Sequence, residues 1–366
     1  MSYNAEVLAR VHAGLPRSEC IEAAEQAGEH PTGTFRELLG HGIADLMTGT
    51  RGSDSARLFC DAISTIARTW LALAESIHLQ SLVAATVAAG AGPAVRPDIV
   101  ADLRSGRKIG ANCVSEPAAG SDMGAIALRA ERNDAGYVLN GKKTWVGHAP
   151  IADLLVVYAR TRGTGLAGIT SFLVDADAPG VEIGPALNKH AAAALPASDI
   201  RFRNVVVPTE RMLSRPDRGA RLAEVMLGQG RLGLAAAAVG LADAATADAV
   251  RYAKARVQFG VPVIRHQGVG FQLADMSTQV DAARALVRSA ADEHAAGTRT
   301  APQAAAKAKL FATDTAVAVT DSAVQVFGAE AYRPGIAAER YLREAKLLQI
   351  LQGTNHIQRL VIAERL

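Results

Sequence analysis

Apolar residues recur at helical spacing along both ends of the chain, and a middle stretch alternates them instead. Beyond Pro216 the prolines are only Pro262, Pro302 and Pro334, and the intervals between them are rich in Ala, Leu, Glu, Gln and Lys. Proline is poorly tolerated inside helices and common at their boundaries, so four long helices are predicted, packed by apolar stripes as a bundle. The run from Leu227 to Arg256 alone would reach about 45 Å at 1.5 Å per residue. The first 110 residues also read as helical, for example Phe35 to Met47 and Ala56 to Ala85, with a Gly/Pro-rich loop at Gly90 to Pro97. Between these regions, Tyr137 to Val146 reads as two short strands around an Asn140-Gly141 turn. Leu154 to Tyr158, Ser171 to Val174, Val181 to Ile183 and Ile200 to Val207 are further β-type runs, with Gly, Pro or Asp between several of them. The expected organisation is a helical domain over 1–111, a β-domain over 112–215 and a four-helix bundle over 216–366. The class is α+β, mostly α.

Composition narrows the function more than the fold. The chain has 366 residues, 49% hydrophobic and 20% charged, as in an ordinary soluble globular protein. A formal charge of +3 is too mild to predict nucleic-acid binding. Cys20, Cys60 and Cys113 form no Cys-x-x-Cys pair, and no His/Cys cluster has metal spacing, so no metal is expected. The N-terminus lacks a basic segment followed by an apolar one, so no signal peptide is read there. The longest apolar run, Leu232 to Ala242, is too short to span a bilayer. A cytoplasmic protein without a membrane partner is the expectation. No Gly-x-Gly-x-x-Gly stands at a strand–helix junction, which argues against a nicotinamide enzyme.

Local motifs carry the chemistry. In Val114-Ser115-Glu116-Pro117-Ala118-Ala119-Gly120-Ser121-Asp122, hydroxyls and backbone N–H groups of a Gly-containing loop suit carbonyl and phosphate oxygens. Downstream lie Asn140-Gly141-Lys142-Lys143-Thr144-Trp145-Val146-Gly147, Arg256-Val257-Gln258-Phe259-Gly260, Phe271-Gln272-Leu273-Ala274-Asp275-Met276 and Ala323-Val324-Gln325-Val326-Phe327-Gly328. The last is Gln349-Ile350-Leu351-Gln352-Gly353-Thr354-Asn355. In this order they resemble the acyl-CoA dehydrogenase family across about residues 110–366. The resemblance implies FAD. Ser115 would bond the pyrimidine edge of the flavin and Ser121 its pyrophosphate, while Trp145 would pack at the ring edge. Gly147 stands where a Thr or Ser usually bonds near the flavin N5. Arg256, Gln258, Phe259, Gln325 and Gly328 would reach the FAD of a neighbouring subunit, with Thr354 and Asn355 completing the contacts. A shared cofactor implies a homodimer or a homotetramer.

The resemblance also implies a base, and here the chain departs from it. A Glu usually precedes Gly-Thr, but this chain has Gln352, and an amide is no base near neutral pH. Some members carry the carboxylate just before an Arg on the first long bundle helix. That Arg resembles Arg231, but it follows Gly230. His148, His356 and Glu224 are the nearby candidates for a replacement. A specialised substrate is the favoured alternative: a small hydroxyacyl group on acyl carrier protein (ACP), oxidised while a polyketide extender unit is built. The poor family fit of the loop Asn188 to Asp199 suggests a carrier other than coenzyme A. An ordinary acyl-CoA α,β-dehydrogenase with a relocated base and a catalytically silent flavin-binding subunit stay open. The active forms need an electron acceptor for the reduced flavin.

Overall fold

A computed structural model describes residues 3–47, 54–90 and 96–366. Among them, the helices α1 (Tyr3–Ala13), α2 (Ser18–Ala27), α3 (Thr32–Gly40), α4 (Ile43–Met47), α5 (Ser55–Thr69), α6 (Leu71–Gly90) and α7 (Arg96–Ser105) come first. The strands β1 (Gly110–Cys113), β2 (Arg129–Asn133), β3 (Gly136–Gly147), β4 (Leu154–Arg160), β5 (Ile169–Asp175), β6 (Val181–Ile183) and β7 (Ala197–Val207) follow. Then come α8 (Gly219–Ala255), the short strands β8 (Val257–Gln258) and β9 (Val261–Pro262), α9 (Gln267–Ala295), α10 (Ala301–Phe327), α11 (Ala338–Leu348) and α12 (Asn355–Ala363). The order of helices, curled sheet and helices is the expected one.

The sheet runs β1-β4-β2-β3-β7-β6, with β5 on the other side of β4. β4 is apolar and buried from Leu154 to Ala159 because both its faces are covered. Leu154, Val156 and Tyr158 face Val83 and Val87 of α6, while Leu155, Val157 and Ala159 face Tyr137 and Phe172 inside the sheet. This two-residue period ties the sheet to α6 and α8 and places the ends of β1 and β3 beside them.

Several expected elements are corrected. Asn140-Gly141 is not a hairpin turn: β3 runs straight through it as one strand, and the turn lies earlier, between Asn133 and Gly136. The dipeptide instead makes a bulge against β7, held by the Asn140 side-chain Oδ1 accepting from the Asn204 backbone N–H at 2.8 Å. Glycine is required there because φ is 146° and a Cβ would lie 2.8 Å from Leu128 Cα. Phe35 to Met47 breaks at Gly42, whose φ of 83° ends helical propagation. Ala56 to Ala85 breaks at Trp70, whose extended backbone lets the indole donate to Glu25 at 2.6 Å. The C-terminal part holds three long helices rather than four. The last interval divides into α11 and α12 because Gln352 and Gly353 take φ of 54° and 84°, outside any right-handed helix. Of the expected loop at Gly90 to Pro97, residues 91–95 lie outside the described residues, and Arg96 and Pro97 open α7.

Two helices, α6 and α8, are long and apolar enough to cross a membrane by length and composition, which the Leu232 to Ala242 run understated. Their apolar windows are 89% and 78% buried inside the protein, so they are core helices.

Candidate functional site

The loop from Ser115 to Asp122 is built by a tight turn in which Glu116 and Ala119 exchange two backbone hydrogen bonds of 3.0 Å. The buried Glu116 carboxylate accepts from the backbone N–H of Ala127 (2.7 Å) and Leu128 (3.0 Å) and from Lys143 Nζ (2.8 Å). Lys143 is itself fully buried and also donates to the Val114 carbonyl. Burial holds the Lys143 pKa below its ordinary value, opposed by Glu116. The pair joins the first two motifs through the protein interior, a role the sequence reading missed although both residues stand inside quoted motifs. Ser115 is half-buried, Ser121 is exposed, and neither hydroxyl has a hydrogen-bond partner among the described residues. A Cβ at Gly120 would meet nothing within 4 Å. Free hydroxyls beside an open glycine fit a phosphate- and carbonyl-bearing group, so these residues fit FAD.

Trp145 holds its indole 64% exposed. Among the described residues, seven non-glycines have positive φ, and Trp145, His148, Phe259 and Gln352 are four of them. Such conformations cost about 1–3 kcal/mol each and cluster at functional sites. Trp145 is flanked by support: Asp199 accepts from Thr144 Oγ1 at 2.5 Å and from Lys142 Nζ at 2.8 Å, and those bonds hold its carboxyl below the usual range.

His148 is not a free base. Its Nδ1 donates to the Gly110 carbonyl (3.1 Å), so its Nε2 accepts from Ser76 Oγ (2.7 Å). Ser76 in turn accepts from His30 Nε2 (2.7 Å), and His30 Nδ1 accepts from Thr32 Oγ1 (3.0 Å). Every donor in this chain has one acceptor, and both rings stay neutral. Burial pushes His148 down to about 4 and His30 to about 3. The relay fastens α3 and α6 to the sheet. His356 is exposed on α12, and Glu224 is exposed on α8 and pairs with Arg365 at 3.8 Å.

Arg256 ends α8, and Phe259-Gly260 form the two-residue turn of the β8–β9 hairpin with φ of 52° and 82°. Phe259 is 93% exposed at that tip, in edge contact with His266 at 5.8 Å between ring centres. Gln258 and Gln325 are also exposed, and Gly328 ends α10 with positive φ and open space at its Cβ position. Thr354 caps α12, accepting from the Ile357 N–H at 3.4 Å. The Asn355 side chain is spent internally, on Lys309 (2.7 Å), Thr313 (2.9 Å) and Asp314 (2.7 Å). Lys309, absent from the sequence reading, is fully buried and also donates to the carbonyls of Gln349 (3.2 Å) and Gly353 (3.0 Å). Burial pushes it down to about 7.

The inner end of the site is where the motifs are altered. Gln352 lies against Gly230: a Cβ there would sit 2.6 Å from Gln352 Oε1 and 3.3 Å from Leu82 Cδ1 of α6. The two positions expected to supply a carboxylate thus touch each other, and neither has one. Gly147 has a similar neighbour, since its Cβ would lie 2.9 Å from Leu79 Cδ1, again of α6. Arg231 is buried with Nε unpartnered, and burial holds its pKa below the ordinary value. One turn along α8, a Cβ at Gly233 would collide with His78 Nε2 at 2.4 Å. His78 and Glu75 are both buried and paired at 3.3 Å. Their signal in the sequence is an acid and a histidine three apart on one face of a helix with no other ionisable residue.

Residues 111–205 match the acyl-CoA dehydrogenase middle domain, and residues 217–366 match the acyl-CoA dehydrogenase C-terminal domain. A benzylmalonyl-CoA dehydrogenase of Aromatoleum aromaticum is 39% identical over 353 residues, covering 93% of this chain and 91% of the relative. An acyl-CoA dehydrogenase of Bacillus subtilis is 35% identical over 357 residues, covering 94% and 92%. Among solved structures, the butyryl-CoA dehydrogenase of Megasphaera elsdenii superposes with a TM-score of 0.94 at 33% identity, covering 100% of this chain and 98% of that one. With matched domains over more than half its length and such relatives along nearly all of it, the chain belongs to the acyl-CoA dehydrogenase family.

Proposed function

We propose that the chain is an FAD-dependent oxidoreductase that introduces an α,β double bond into a short acyl-CoA thioester. The observation that carries this reading is the reach of α6. Leu79 against Gly147, and Leu82 with Gln352 against Gly230, narrow the space around the reacting end, which favours a small acyl group over a long one. The relatives named above carry coenzyme A thioesters in their names, which supports that carrier. Bound FAD supplies the two-electron oxidant. Ser115 and Ser121 would hold its ring edge and pyrophosphate, Trp145 would cover the ring edge and exclude water, and Thr354 would contact it from the last signature.

Arg256, Gln258, Phe259, Gln325 and Gly328 would complete the FAD site of a second copy. Their exposure, together with that of Phe271 and Tyr332, supports a homo-oligomer. The division into 1–111, 112–215 and 216–366, a cytoplasmic location and a separate electron acceptor belong to the same proposal.

A second reading, oxidation of a hydroxyacyl-ACP, draws on the missing carboxylate and on the loop from Asn188 to Asp199. That loop is tied down by Lys189 Nζ donating to Ala192 and Leu195 carbonyls, both at 2.6 Å, and by Glu25 accepting from the Ala193 N–H at 2.7 Å. Anaerobic flavin absorbance decides between them. Bleaching by butyryl-CoA or a similarly short acyl-CoA is the expected result. Bleaching by hydroxyacyl-ACP alone would replace this reading with the second. A flavin that binds but bleaches with neither would point to the silent subunit.

A further inference from the structure

The chain lacks a carboxylate at both positions where its family resemblance asks for one, yet it buries an acid and a histidine one helical turn away. His78 Nδ1 donates to Glu75 Oε2 at 3.3 Å, which places the imidazole lone pair on Nε2. Among the described residues that Nε2 has no hydrogen-bond partner, and neither does Glu75 Oε1, although both residues are buried. A buried polar atom left unsatisfied is costly, so two in one pair call for an explanation.

Their direction supplies one. His78 Nε2 faces Gly233, and Gln352 Oε1 faces Gly230. These glycines are three apart on α8, so they lie on one face about 5–6 Å apart at the Cβ level. Glycine within a helix is unfavourable relative to alanine. Here two of them open the seam between α6 and α8, one to the imidazole and one to the Gln352 amide. The next residue of α6, Leu79, touches Gly147. The unpartnered nitrogen, the empty base position and the expected flavin edge therefore converge on one short segment of α6.

We propose that His78 is the base of the reaction and that Glu75 orients it. This rests on the α,β-dehydrogenation proposed above. In the step, the substrate's α C–H bond breaks, and its proton passes to His78 Nε2. Its electron pair becomes the new Cα–Cβ π bond, and the β-hydrogen leaves with its own pair to the flavin oxidant. Glu75, hydrogen-bonded to Nδ1–H, faces the imidazolium that results. Glu75 is a positioning residue, and His78 touches the reacting proton.

The test separates proton abstraction from oxidation. A 3-thiaacyl-CoA has sulfur at the β position and no hydride to give, so in D2O its α-hydrogens report the base alone. The FAD-loaded wild type should exchange them, followed by mass spectrometry. His78→Asn should slow exchange by about 10²–10⁴-fold, the usual contribution of a general base. Added imidazole should restore it in His78→Gly. Glu75→Gln, nearly the same shape, should slow exchange by at least about tenfold while its melting temperature and flavin content stay at wild-type values. This second variant carries the test if the His78 variants do not fold. Undiminished exchange in folded His78→Asn or Glu75→Gln would overturn the base assignment and leave the dehydrogenase reading standing. A wild type that neither exchanges this probe nor is bleached by any acyl-CoA would defeat the dehydrogenase reading, and the assignment with it.

Discussion

The outer rim of the site and its inner seam are built by opposite rules. The rim keeps the family's residue types and leaves them open: Ser121, Trp145, Gln258, Phe259 and Gln325 are all exposed. The seam changes residue types and closes over them. At Gly147, Gly230 and Gln352, where the motifs depart from their common form, each residue is met by a neighbour it would otherwise exclude. The departures also share a neighbour, since Leu79 and Leu82 of α6 reach the two glycines and Gln352 lies against the second. By the family resemblance, Gly230 and Gln352 stand at the two base positions and Gly147 at the reactive edge of the flavin, so the changes gather at one end of the site.

Perturbing each region should show how separate they are. The largest effect is expected from Lys143→Met. It strands the Glu116 carboxylate in the interior beneath the rim and should lower unfolding free energy by about 3–5 kcal/mol, measured by denaturant titration, with flavin retention falling too. A loss below about 1 kcal/mol would mean that water reaches Glu116 and that the rim is not anchored from within. Next, Ser121→Ala should remove a hydrogen bond to an anionic oxygen, worth about 1.5–3 kcal/mol, and weaken FAD roughly ten- to a hundredfold by fluorescence titration. Stability of the FAD-free chain should not move. Gly233→Val should have the reverse signature. Crowding the His78 ring should destabilise the chain by about 1–3 kcal/mol in a thermal melt, with FAD affinity close to wild type. Equal losses of affinity in both variants would dissolve the distinction between rim and seam.

The smallest effect concerns pH. His30 and His148 have folded-state pKa values of about 3 and about 4, below their ordinary value of 6.5. The unfolded chain therefore binds more protons than the folded one below about pH 6.5, and stability falls as pH drops through that window toward 4 and 3. Between pH 7 and 6 the loss should stay under about 1 kcal/mol per histidine, and His148→Asn should flatten the slope. A slope unchanged by that variant would show that His148 takes up its proton in the folded state.

The sequence made some of this legible and hid the rest for identifiable reasons. Strand positions followed from short β-type runs bounded by Gly, Pro or Asp, and β6 matches its reading to the residue because its neighbours punctuate it. Asn140-Gly141 misled because the same dipeptide serves a turn and a bulge, and only the partner strand decides which. The continuous reading of α5 and α6 failed because nothing local marks Trp70 as extended; its indole needs a distant Glu25. At the site, motif residues on the rim were readable because their types are retained. Glu75, His78 and Lys309 were not, because each lies outside the quoted motifs on a helix whose buried positions are mostly apolar, and its meaning lies in what faces it.

Lys309 shows how that matters for the segment carrying Gln352. Its ammonium has three N–H bonds, and three oxygens take them: the Gln349 and Gly353 carbonyls and Asn355 Oδ1. A neutral amine has two. With its pKa brought down to about 7, the residue gives up one proton near neutrality, and the count of donors then falls one short of the count of acceptors. Losing that proton would release one of the three attachments, so the loop that presents Gln352 is held most firmly below neutral pH.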